Sequence, residues 1–176
     1  EVTDRDVRRL HIGLVVPGFS AAEDDWCIPA LLNLVRRLAA QHEVTVYALR
    51  YPHNKRQYRV FGARVRSFGA ATGAGWRRLP LLSRAIRTIL TDARRQPFSI
   101  LHGLWADEAG FVAATAARRC RSPALVSLMG GELVRMPDVG YGVQLSRSGR
   151  LLTSLSLRLA DGVSAGSRQL LKQAAK

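Results

Sequence analysis

Two largely apolar runs flanking an amphipathic segment constrain this chain more than any other feature. LHIGLVV (Leu10 to Val16) closes on Pro17-Gly18, and EVTVYAL runs from Glu43 to Leu49. Runs with so few polar positions read as strands buried on both faces, the habit of a parallel sheet. Between them, IPALLNLVRRLAAQ sets Leu31, Leu34, Val35 and Leu38 at i, i+3, i+4 and i+7, one apolar stripe on a helix. Pro29 fits its first turn, where a missing N–H costs nothing. The opening is therefore a βαβ unit.

The pattern continues. VFGARVRSFG reads as a third, shorter strand, and TGAG (Thr72 to Gly75) as a flexible break. Trp76 to Gln96 is helical, with Leu79, Leu82, Ile86, Ile89, Leu90 and Ala93 on one side. Arg77, Arg84, Arg87, Arg94 and Arg95 lie on the other. FSILHGL is a strand, DEAGFVAATAARR a helix and ALVSLM a strand. LLTSLSLRLA is a helix, DGVSA a short strand, and SRQLLKQ opens a last helix with Ser167 as its N-cap. Strands alternating with helices predict one α/β, Rossmann-like three-layer domain over 1–176, with a mostly parallel sheet of about six strands. A chain that opens on Glu1 and closes at Lys176 inside a helical pattern reads as a piece of a longer protein.

Charge is uneven. Of 27 basic residues only Lys55, Lys172 and Lys176 are lysine, and net charge is +14. A genome with a high-GC bias explains an excess but not its position: Arg50 to Arg95 holds twelve basic residues and one acid, Asp92. The arginine face of the Trp76–Gln96 helix is either a solvated face or a surface for anionic lipid. No apolar run reaches the roughly 18 residues of a membrane span. The two cysteines, Cys27 and Cys120, have no metal-ligand or Cys-x-x-Cys spacing and read as buried, reduced thiols in two helices, as in a cytosolic protein.

In such a sheet, ligands bind beyond the carboxyl ends of the strands. The loops PGFSAAEDDW, RYPHNKRQY, LWADE, MGGE and AGSR leave there, and carry Gly18, His53, Trp105, Asp107, Glu108 and Glu132. Each has a plain structural alternative. Gly130-Gly131 can serve only a turn, Asp107 and Glu108 only a helix start, and Trp105 only an apolar lid. His102, inside a strand, fits a satisfied core histidine. No Gly-x-Gly-x-x-Gly follows the first strand, and there is no Gly-Lys-Ser/Thr loop, Gly-x-Ser-x-Gly elbow or metal-ligand spacing. A nucleic-acid role rests on charge alone, without interleaved aromatic platforms.

Four segments in order resemble the N-terminal, acceptor-side domain of family 4 glycosyltransferases of the GT-B fold. They are HIGLVVPGF, LLNLVRRLAAQHEVTVYALR, FSILHGLWADEAGFVAATAARR, and PALVSLMGGEL with LADGVSAGSRQLL. The resemblance implies a retaining transferase that moves a sugar from a nucleotide-sugar donor to a glycan or lipid-linked acceptor. The donor would be held mainly by a C-terminal domain outside this chain, with no metal or other cofactor. It implies acceptor and donor contacts at Gly18, Trp105, Asp107, Gly130, Gly131 and Glu132. Catalytic roles would fall to Glu132, as acceptor of substrate hydroxyls, and to His102. Taken with the arginine face, the expectation is work at the cytoplasmic face of a membrane, with Arg77, Arg84, Arg87, Arg94 and Arg95 turned to the lipid.

Two departures stand out. AAEDDWCIP replaces the family's glycine pair in the first loop, and Met129 stands where many members have histidine. A thioether neither shuttles a proton nor bonds a hydroxyl strongly. These departures are the basis of an alternative, a non-catalytic binding or regulatory relative of the same fold.

Overall fold

The computed structural model describes residues 9–70 and 75–174. The elements are β1 (His11–Gly18), α1 (Pro29–Gln41), β2 (Glu43–Tyr51), β3 (Arg56–Val60), β4 (Ala63–Ser67), α2 (Leu79–Arg95) and β5 (Ile100–Leu104). Then come α3 (Glu108–Cys120), β6 (Ala124–Leu128), α4 (Arg147–Leu159), β7 (Gly162–Ala165) and α5 (Arg168–Ala174). Seven strands form one sheet in the order β3-β4-β2-β1-β5-β6-β7. All pairings are parallel except β3 with β4. This is the α/β Rossmann-like architecture the alternation predicts.

The apolar runs do what their composition requires. Ile12, Leu14 and Val16 of β1 face one side with Val44, Val46 and Ala48 of β2, and α1 covers them with Leu31, Leu32 and Val35. Val15, Tyr47 and Leu101 face the other side, under Leu82, Ala85 and Ile89 of α2 and the alanine-rich face of α3. Small residues let α3 sit close. A Cβ on Gly103 would meet the Gly110 backbone at 2.6 Å.

The third strand departs from expectation. VFGARVRSFG is not one strand but a turn and a second arm. β3 and β4 form an antiparallel hairpin closed by Phe61-Gly62, both at positive φ, 46° and 81°. Two positive φ values make the tight turn that matches strand twist. β3, RQYRV, is an edge strand exposed at most positions, so it has no core-facing alternation to reveal it. α4 also starts earlier than its apolar stripe, at Arg147, because Ser146 caps it by accepting from the Gly149 N–H at 2.9 Å. The break expected at Thr72 to Gly75 lies outside the described residues except for Gly75. Cys27 is not in a helix: it is exposed in the loop before α1, while Cys120 ends α3; both are free thiols. No described helix is long and apolar enough to cross a membrane.

Candidate functional site

Strand order reverses between β1 and β5, so the loops leaving these two strands part to opposite faces and open a crevice at the carboxyl edge. Gly18 ends β1 on one side of it. A Cβ there would stand 3.0 Å from the Tyr51 Cβ, so the close approach it permits is to β2. On the other side Trp105 follows β5 with φ 74°, a conformation that a bulky residue holds only against strain. It is fixed from both ends, its N–H donating to the Ser127 carbonyl (3.0 Å) and its carbonyl accepting from the Gly110 N–H (2.8 Å).

Next along the chain, Asp107 caps α3, its carboxylate accepting from the Ala109 N–H at 3.3 Å. Burial, with the charges of Glu108 and Glu132 nearby, pushes its pKa up to about 6. Asp107 is thus a carboxyl that exchanges its proton near neutral pH. Glu108 is bound differently. Arg50, at the end of β2, grips it with Nη2 at 2.7 Å from both carboxylate oxygens and Nε at 3.0 Å from Oε2. Arg78 adds a contact at 3.3 Å. Sequence reading missed both arginines; a basic residue ending a buried strand was the available signal for Arg50.

Glu132 has no exposed surface. Its Oε1 accepts the N–H of Met129 (2.8 Å) and of Ala106 (3.3 Å), and Oε2 that of Gly130 (2.7 Å). The expected contact with substrate hydroxyls does not fit a carboxylate so enclosed. Glu132 instead clips the loop after β6 to the loop after β5. Gly130 has φ 152° and nothing within 4 Å of a would-be Cβ, an open stretch of backbone. Gly131 is covered: a Cβ there would meet the Tyr141 hydroxyl at 2.8 Å. Tyr141 belongs to a short strap, paired with Met136 and tied by Gln144 to the Glu132 carbonyl. Met129 is 43% exposed at the lip.

His102 lies apart from this edge. It sits within β5, its Nε2 2.7 Å from the Ser127 hydroxyl, which in turn meets Ser164 of β7. Burial lowers its pKa, so near neutral pH it is an uncharged ring. His53 is exposed in the loop after β2. Beside the α3 start, a groove of about 500 Å³ is lined by Leu79, Leu82, Leu151 and Leu152, with Arg78 and Arg147 also in its lining. Among the arginines of α2, Arg87, Arg94 and Arg95 are exposed and Arg77 is exposed just before it, whereas Arg84 is drawn in against β4. Among the described residues no group of three or more His, Cys, Asp or Glu is placed to hold a metal ion.

A family model described as glycosyl transferase 4-like domain matches residues 28–176. The chain belongs to this family. No curated protein sequence matches the glycosyl transferase 4-like chain. Solved structures match its fold. Sucrose-phosphate synthase from Thermosynechococcus elongatus aligns with TM-score 0.62 at 13% identity, over 93% of this chain and 44% of that one. UDP-GlcNAc 2-epimerase from Methanocaldococcus jannaschii aligns with TM-score 0.59 at 9% identity, over 94% and 42%. The UDP-N-acetylglucosamine 2-epimerase from Rickettsia bellii gives 0.55 at 10%, over 95% and 41%. At these identities the likeness is one of fold, that of the GT-B proteins, and the glycosyl transferase 4-like chain spans less than half the length of each.

Proposed function

We propose that this chain is the acceptor-binding half of a retaining glycosyltransferase that moves a sugar from a nucleotide-sugar donor to a glycan or lipid-linked acceptor. Family membership supports glycosyl transfer in general. The carboxyl edge supports the finer reading through one observation above all: the Glu132 carboxylate ties Ala106 to Met129 and Gly130, so that the Trp105–Asp107 and Met129–Gly130 loops face the same crevice as one rigid unit. In this arrangement Trp105 offers a flat apolar ring to a sugar face, Asp107 a carboxyl for a hydroxyl, and Gly130 bare backbone. Glu132 acts as a positioning residue and Met129 as wall. His102, hydrogen-bonded within the sheet, supports the strand ends rather than touching substrate.

The leucine groove between the starts of α2 and α4 supports the lipid-linked form of acceptor, since Arg147 would meet an anionic head while the leucines meet a chain. The donor nucleotide would be held mainly by a second domain outside this chain, and no metal or cofactor enters the scheme. Exposed Arg77, Arg87, Arg94 and Arg95 support docking at an anionic, cytoplasmic membrane face.

The test is transfer by the full-length protein, read by mass spectrometry, from a panel of UDP- and GDP-sugars to octyl β-D-glucoside. Asp107→Asn is expected to lower turnover about tenfold or more. Turnover equal to wild type would remove Asp107 from the site. Met129 in the histidine position favours a second reading, a binding relative without catalysis, in which octyl glucoside binds but no donor in the panel yields product.

A further inference from the structure

The arginine cluster takes a shape that no membrane surface needs. On the flank of the domain, away from the carboxyl edge, an open groove of about 650 Å³ runs between the β3–β4 hairpin and α2. Its charged lining is Arg66, Arg84, Arg87, Arg95 and one acid, Asp92. Asp92 is already spent. Its Oδ1 accepts from Arg66 Nη2 at 2.7 Å, and its Oδ2 accepts from the Tyr47 hydroxyl at 2.7 Å. Burial and the neighbouring Asp92 charge push the Tyr47 pKa up, so that hydroxyl stays a donor. One carboxylate therefore offsets one guanidinium, and Arg84, Arg87 and Arg95 have no acid of their own in the groove.

Two of the cations are held in place: Arg66 by Asp92, and Arg84 by Phe68. Arg84 donates from Nη2 to the Phe68 carbonyl at 2.9 Å and lies over the Phe68 ring at 5.6 Å, while its Nε is buried with no partner in the described structure. Thr88 and Thr91 turn their hydroxyl protons inward, donating to the Arg84 and Arg87 carbonyls at 2.9 Å each. From Arg84 to Arg95 a helix climbs about 16 Å, room for a ligand with more than one anionic group. Guanidinium forks favour phosphate because its oxygens accept paired N–H bonds.

We infer that the groove between β4 and α2 binds a multivalent phosphate anion through Arg66, Arg84, Arg87 and Arg95, at a site separate from the carboxyl edge. A flat bilayer would meet the exposed Arg77, Arg87, Arg94 and Arg95. A discrete phosphate group enters the groove and reaches Arg66 and Arg84 as well. The phosphate comes either from a soluble oligophosphate or from a lipid headgroup, and the site does not rest on the transferase reading.

The test is calorimetric titration of the protein with sodium tripolyphosphate at about 0.15 M salt, where diffuse surface attraction is screened. Arg87→Gln with Arg95→Gln, both at exposed positions that leave the core untouched, should weaken binding about tenfold or more. Arg36→Gln with Arg37→Gln, on α1 across the sheet, removes the same charge and should change it less than about twofold. Equal losses in the two double variants, or no binding of tripolyphosphate at all, overturn the site. Competition then assigns the source. Phosphatidylcholine vesicles carrying phosphatidic acid displace tripolyphosphate if the groove accepts a headgroup, and fail to displace it if the site takes the free anion alone. Both results require the groove.

Discussion

Glu132 and Ala106 stand 26 residues apart in sequence, on loops leaving neighbouring strands, and a carboxylate-to-amide hydrogen bond of 3.3 Å joins them. The same side chain holds Met129 and Gly130 at 2.8 and 2.7 Å. A single buried carboxylate thus does what a ligand or ion would otherwise have to do: it gathers backbone donors from two loops. Most of what the carboxyl edge can bind depends on that gathering.

Glu132→Gln keeps the shape and loses the charge, and its NH2 group must face an amide donor. Hydrogen bonds to a buried charged group are among the stronger ones, and an unmatched donor adds its desolvation cost. The variant should lose about 2–3 kcal/mol in urea unfolding. Hydrogen exchange at the Met129, Gly130 and Ala106 amides should rise before exchange elsewhere. Unaltered protection at these three amides would contradict the clip.

Gly130→Ala and Gly131→Ala separate backbone strain from crowding. Gly130 has open space around it but a φ of 152°, whereas Gly131 has ordinary backbone and the Tyr141 hydroxyl at 2.8 Å from a would-be Cβ. Tyr141 is 55% exposed and can swing away. Gly130→Ala is therefore expected to cost the more, on the order of 1–3 kcal/mol, and Gly131→Ala less than about 1 kcal/mol. Paired denaturation curves read the order directly, and the reverse order would be wrong for this geometry.

Glu108 shares Arg50 and Arg78, with side-chain exposures of 11%, 19% and 16%. Replacing Glu108 by Gln removes the carboxylate charge that Arg50 and Arg78 share. Breaking one partner of a buried pair costs about 3 kcal/mol. Arg50→Met should cost a similar amount, and the double variant should cost much less than the sum. Additive losses in a double-mutant cycle would show the pair to be uncoupled.

Asp107 makes stability depend on pH in a specified direction. Burial raises its pKa from 3.8 to about 6, so the folded state holds this proton more tightly than the unfolded chain. The cost of ionising it is absent below pH 3.8, grows as pH rises through that window, and is complete above about 6. Asp107→Asn retains a capping side chain and removes the cost. At pH 8 it should be the more stable form by about 3 kcal/mol, with the advantage gone below pH 4. A constant difference across that range would contradict the raised pKa.

The sequence made some of this legible and hid the rest for physical reasons. β1, β2 and α1 were legible because burial on both faces leaves few polar positions, and a helix on one face leaves a stripe. β3 was not, since an edge strand reading RQYRV carries no such pattern and its turn uses Phe61-Gly62 rather than Asn-Gly. The carboxyl-edge residues were found because loop position follows from strand direction alone. The role of Glu132 was not, because whether a carboxylate faces a ligand or its own backbone depends on which amides the next loop brings within reach. Arg50 and Arg78 were counted as charge, yet both are committed to Glu108.

The central claim is that sugar hydroxyls are met at the crevice between the ends of β1 and β5. Backbone amide NMR of this chain, titrated with octyl β-D-glucoside, tests it most directly. The account predicts shift changes gathered at Trp105 to Glu108 and at Met129 to Gly131, while Arg66 and Thr88 on the far flank stay still. Changes confined to the flank, with the carboxyl edge silent, would contradict it.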